Sequence, residues 1–143
     1  MARMGSKTRK AEALAGVPMF ATLSKKDRAL LAQHVDEVTV PAGRDLAVQG
    51  KLGQEMMLIV SGGADVKRNG RRIAQLGPGD VVGELSLIDG KPRSATVTTT
   101  DETLMLAMHA RDFTAVVNGS PEFQWRILRA LAQRVRDVDE LFD

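Results

Sequence analysis

The sequence predicts an α+β domain, an antiparallel β-roll or jelly-roll barrel flanked by N-terminal helices and a C-terminal helix. Glycine spacing and two changes of hydrophobic period carry that expectation. From Thr39 to about His109 the chain is punctuated by Gly43, Gly50, Gly53, Gly62, Gly63, Gly70, Gly77, Gly79, Gly83 and Gly90, with short runs such as VTV, MLIV and ATVTTT between them. Turn residues at these intervals set off many short strands, which curl into a roll or barrel that limits exposed edges. On either side, apolar residues recur every three or four positions, the period of a helix.

The elements follow in order. Residues 1–10, MARMGSKTRK, hold the densest positive cluster and lack the apolar run of a signal peptide, so a flexible, solvated basic arm is expected there. Residues 11–143 are expected to form one domain. Lys10 to about Val38 reads as two short helices joined around Val17-Pro18; Ser24 with Asp27 three residues on starts the second, and Leu30, Leu31 and Val35 follow at helical spacing. After the strands, ARDFTAVV is a short helix ended by Asn118-Gly119. Ser120-Pro121-Glu122 then supplies an N-cap, a first-turn proline and a first-turn acid. Beyond it, Phe123, Ile127, Leu131, Val135, Val138 and Phe142 form one apolar stripe, which serves as core or as an interface with a second copy or another protein.

Composition excludes several classes. A chain of 143 residues, 43% hydrophobic and 27% charged, suits a single globular domain. Four Phe, one Trp and no Tyr supply few stacking platforms for single-stranded nucleic acid. The N-terminal helices lack a groove-facing set of Arg, Asn and Gln, so no DNA-binding domain is expected. Absence of cysteine removes disulfides and thiolate metal sites and fits a cytoplasmic location. No apolar run approaches the ~20 residues that span a bilayer. The two histidines, His34 and His109, have no neighbouring ligand spacing, and no serine has an evident histidine base. Neither a metal site nor an enzyme is expected.

The segment GELSLIDGKPRSATV, Gly83 to Val97, concentrates the chemistry. A buried charge is costly unless paired, so Glu84 and Arg93 either bridge each other or share an anionic guest that carries a hydroxyl. Gly83 lets a guest approach backbone N–H groups closely. Arg93 presents a planar fork suited to two phosphate oxygens, and Ser94 adds a hydroxyl and its own N–H. An ionised Glu84 is a strong acceptor for a sugar hydroxyl, as acids are in dinucleotide sites.

This segment resembles the phosphate-binding cassette of the cyclic nucleotide-binding domain family. The resemblance extends to AGVPMFATLS, LIVSGGADV and LGPGDVVGE, and covers the chain from about Ala11 onward. It implies a ligand, cyclic AMP or cyclic GMP, with no cofactor and no metal. Gly83, Glu84 and Leu85 match the family's helical turn, with Glu84 on the ribose hydroxyl; Arg93 and Ser94 match its phosphate clamp, with the Ala95 backbone beside them. Val66, Ala74, Leu76 and Val82 fall where the family lines its purine pocket. The terminal helix resembles the family's lid, with Arg134 and Val135 at the depth of a lid residue. Val82 stands where many members carry an aromatic. Serine at position 94 fits either nucleotide, and the bacterial catabolite activator, which is similar here, prefers cyclic AMP.

The implied function is a stand-alone cyclic nucleotide sensor whose terminal helix moves on binding and is read by a protein partner or by a second copy. The alternative is a degenerate fold that acts as a ligand-free interaction module.

Overall fold

A computed structural model describes residues 7–140, with side chains for 8–139. Helix α1 (Lys7–Leu14), a 3-10 turn (Pro18–Phe20) and α2 (Lys25–Ala32) precede β1 (Asp36–Val40), β2 (Asp45–Ala47), β3 (Glu55–Ser61), β4 (Ala64–Arg68), β5 (Arg71–Leu76) and β6 (Val81–Val82). Helix α3 (Ser86–Asp89), β7 (Thr96–Thr99), β8 (Thr103–His109), α4 (Ala110–Asn118) and α5 (Pro121–Glu140) complete the order. No helix among the described residues is long and apolar enough to cross a membrane.

The strands form two antiparallel sheets, β1-β8-β3-β6 and β2-β7-β4-β5, the α+β roll anticipated from the glycine spacing. Strands β3 and β8 are buried on both faces, which explains why MLIV and TLMLAMH read as continuous apolar runs. In their ladder Met56 lies opposite Met108 and Leu58 opposite Leu106, and these four join Leu14, Phe20, Leu31, Phe113 and Phe123 in a core under the helices. The intervening Met57, Ile59, Met105 and Ala107 face the other way and pack with Ala47, Ala64, Val82 and Val97 between the sheets. One sheet therefore serves two cores.

The helical flank differs from the sequence expectation in its limits. Lys7 to Lys10, expected in the flexible arm, are the opening of α1, while residues 1–6 of that arm lie outside the described residues. The helical region ends at Ala32, and β1 begins at Asp36, because DEVTV carries β-branched residues and pairs along β8. Ser24 caps α2 as expected, its Oγ accepting from the Asp27 N–H at 3.1 Å. The Phe20 and Phe113 rings stack with centroids 6.0 Å apart, tying the 3-10 turn to α4.

Helix α5 does not carry a single buried stripe. Phe123 and Ile127 are buried and Leu131 packs beside them, whereas Val135 and Val138 are more than half exposed and Phe142 lies outside the described residues. Among the described residues, the core that covers the first turns does not extend over that distal half. The buried half is also held by charge: Arg126 donates through Nε and Nη2 to the Asp27 carboxylate at 2.5 and 2.9 Å. That hydrogen bond raises the Arg126 pKa, with desolvation opposing it. Helix α5 is thus fixed to α2 at its start.

Candidate binding site

The chain leaves β6 at Gly83, turns through α3, and returns into β7. Gly83 has φ +79°, a left-handed conformation that other residues adopt only at a cost. Leu85 is the N-cap of α3, and the Asp89 carboxylate accepts from the Lys91 N–H at 3.0 Å as the loop turns back. The Arg93 N–H then donates to the Lys51 carbonyl at 2.9 Å, and the Gly50 N–H donates to the Arg93 carbonyl at 2.8 Å. These bonds aim the Arg93 side chain inward.

The guanidinium lies in a slot that two absent side chains create. A Cβ at Gly83 would fall 1.8 Å from Arg93 Nη1, and one at Gly53 would fall 2.0 Å from Nε. Nη1 donates to Ser86 Oγ at 3.1 Å and Nη2 to the Glu55 carbonyl at 2.5 Å. Nε is buried with no hydrogen-bond partner among the described residues. Burial lowers the Arg93 pKa, with the charge of Glu55 opposing. Arg93 nevertheless lines the cavity, so a guanidinium charge stands in its wall.

Glu84 is only 8% exposed and faces two other elements. One oxygen accepts from the Met19 N–H at 3.4 Å, and the other lies 2.9 Å from Arg134 Nη1 of α5. The Arg134 contact is one of charge, since its angle does not meet hydrogen-bond geometry. Of the two pairings the sequence left open for Glu84 and Arg93, mutual bridging does not occur. Glu84 pairs with Arg134, and Arg93 with Ser86 and the Glu55 carbonyl, yet both line one cavity of about 390 Å³.

All six residues assigned to the cassette, Gly83, Glu84, Leu85, Arg93, Ser94 and Ala95, line this cavity. Val66, Leu76 and Val82 supply its apolar wall. Ala74 does not line it: it sits opposite Val66 in the β4–β5 ladder and shares that face, but β5 is the edge strand and Ala74 is exposed there. Arg134 and Val135 do not line it either, although Arg134 reaches the lining residue Glu84. Successive helix residues point about 100° apart, so while Arg134 meets Glu84, Val135 is 62% exposed.

Sequence reasoning missed several contributors. Ser86 holds the Arg93 fork and Gly53 clears its path, while Ala47, Val81, Asp89, Lys91, Pro92 and Val97 complete the lining. Ser86, Asp89, Lys91 and Val97 stand within or at the end of the segment that drew attention, so proximity could have found them. Gly53 looked like one more turn glycine, because its partner is 40 residues away.

A β-roll that holds an anion clamp and an acid in one cavity defines a small-ligand binding domain, and the comparisons say which kind. The family described as "Cyclic nucleotide-binding domain" matches residues 37–120, more than half of the chain. The chain belongs to the cyclic nucleotide-binding domain family.

A cyclic AMP receptor protein of Thermus thermophilus is 32% identical over 129 residues, covering 87% of this chain and 60% of that protein. A cyclic nucleotide-gated potassium channel of Mesorhizobium japonicum is 34% identical over 120 residues, covering 84% of this chain and 33% of the channel. The chain thus spans less than two thirds of the length of either relative. Among solved structures, the N-terminal domain of a transcriptional regulator from Streptomyces coelicolor superposes with a TM-score of 0.80 at 34% identity, covering 90% of this chain and 95% of that one.

Gly83→Ala should lower the unfolding free energy by more than the ~1–2 kcal/mol of the left-handed backbone, because its Cβ also meets Arg93 Nη1. Urea denaturation with an unchanged m-value checks this; a midpoint equal to that of the parent would contradict the strain at this turn.

Proposed function

We propose that the chain is a sensor module that binds cyclic AMP in this cavity and answers through α5. The observation that carries the reading is the slot between Gly53 and Gly83, which seats a buried arginine in the cavity wall, together with the acid in the same cavity. The singly charged phosphodiester meets Arg93 and the backbone around Ser94 and Ala95. The ribose hydroxyl meets Glu84, and the purine lies against Val66, Leu76 and Val82. Relatives named for cyclic AMP favour that nucleotide, while the Ser94 hydroxyl also suits the amino group of cyclic GMP. The module acts by binding and not by catalysis, in the cytoplasm.

The Arg134 contact supports movement of α5. A ribose hydroxyl arriving at Glu84 competes for the carboxylate that holds the distal half of the helix. The first turns stay fixed by Phe123, Ile127 and the Arg126–Asp27 pair, so the helix answers from about Leu131 onward. Ligand shifts the balance only by the difference in its affinity for the two helix positions. Trp125, Leu128, Ala132 and Val135 lie on the exposed side at 3-4-3 spacing, the seam of a two-stranded coiled coil, and this face receives a second copy of the chain.

Calorimetry should show saturable binding of cyclic AMP, weaker binding of cyclic GMP, and a loss of roughly 10- to 100-fold in Arg93→Ala, the worth of charge-assisted hydrogen bonds. Equal affinity in the variant would remove the clamp, and no binding of any cyclic nucleotide would leave a ligand-free scaffold.

The chain has no cysteine, so a fluorophore on Val138→Cys reports α5 alone. Its emission should change on cyclic AMP addition in proportion to occupancy; a signal flat through saturation would rule out the moving helix. Sedimentation velocity should give a dimer that Leu128→Glu converts to monomer, and a monomer at every concentration of the parent would dismiss the seam.

A further inference from the structure

Arg68 has no part in the site as described so far, yet its strand delivers it to the cavity. Strand β4 pairs with β7 so that Val66 lies opposite Val97 and Lys67 opposite Thr96. The next step of the same register brings Arg68 level with Ala95. Facing residues of an antiparallel pair share a side of the sheet, and Val66, Val97 and Ala95 all line the cavity. Arg68 therefore leaves the sheet on the cavity side, while Lys67 leaves on the other.

The guanidinium then turns toward the clamp. Nε of Arg68 donates to the Ser94 carbonyl at 3.2 Å, and Ser94 is itself part of the lining. Arg68 itself is not among the lining residues; it is exposed, and its two terminal nitrogens have no hydrogen bond among the described residues. Arg71 stands directly opposite Arg68 across the β4–β5 hairpin.

The bond to Ser94 also has a geometric consequence. In a trans peptide the carbonyl of Ser94 and the N–H of Ala95 point in opposite directions. Fixing one fixes the other, so Arg68 sets the orientation of the backbone beside Arg93.

We infer that Arg68 is a second cation of the phosphate end of this site, an outer guanidinium at the rim that complements the buried Arg93. This rests on the cyclic nucleotide reading above. The inner arginine provides the desolvated, slotted contact. The outer one adds a solvated, salt-sensitive contact to a phosphate oxygen on the open side, and holds the Ser94–Ala95 peptide in place.

The test compares cyclic AMP binding by calorimetry for the full chain, Arg68→Gln and Arg71→Gln, at low and high salt, with melting temperatures alongside. Arg68→Gln should bind roughly tenfold more weakly, with a shallower salt dependence and a melting temperature equal to that of the parent. Arg71→Gln removes the same charge one strand further out and should bind within about twofold of the parent. The two phosphorothioate isomers of cyclic AMP, each with sulfur in place of one exocyclic oxygen, should lose unequally in Arg68→Gln, because the residue reaches one oxygen.

Three results would overturn the assignment: unchanged affinity in Arg68→Gln, equal loss in both charge variants, or equal loss for both isomers. If the parent chain binds no cyclic nucleotide, the ligand reading fails and takes this one with it. Binding by the parent that Arg93→Ala abolishes and Arg68→Gln leaves intact overturns the role of Arg68 alone.

Discussion

The placement of one guanidinium governs the site. Arg93 is 9% exposed and is held by a hydroxyl, a carbonyl and the absence of two side chains, in place of a facing carboxylate. Burial makes that charge costly, and the acid that would most simply offset it, Glu84, is committed to Arg134. An arginine paired to a protein carboxylate has little reason to accept a phosphate. Here the hydrogen-bond partners are neutral, and the Glu55 carboxylate acts on the guanidinium only through its charge. The turn at Gly83, the loop that carries Gly53, and the backbone bonds from Gly50 and Lys51 all serve to seat this side chain.

Helix α5 is attached in two chemically different ways. Near its start, aromatic and aliphatic packing is reinforced by a bidentate pair between Arg126 and Asp27, whose carboxylate is buried. Eight residues later, a single poorly aligned charge contact joins Arg134 to Glu84. Bidentate guanidinium–carboxylate geometry resists displacement far better than a lone contact without hydrogen-bond alignment. The acid of the second attachment, Glu84, lines the cavity, so the weaker of the two joints is the one that borders it.

Much of this was legible in the chain. The glycine intervals marked the strands, and Ser24, Gly119 and Ser120 marked the helix ends, because turns and caps are local chemistry. The six residues singled out between Gly83 and Ala95 line one cavity, since the segment folds back on itself within thirteen positions. What escaped depended on contacts between distant parts of the sequence. Glu84 could not be assigned to Arg134 from spacing, nor Gly53 to Arg93, because only the assembled roll brings them together. The α5 stripe misled for a related reason: periodicity shows that a face is apolar, but not where the neighbouring elements stop covering it. Ala74 was placed on the correct face of its hairpin but too far toward the sheet edge to reach the cavity.

Strands β3 and β8 present alternate side chains to both cores, so the helical layer and the inter-sheet layer have a common wall. Neither layer can lose its packing without exposing one side of strands that the other still needs. A single pair of strands therefore joins the packing of the helical layer to that of the cavity wall, where Val82 and Val97 stand.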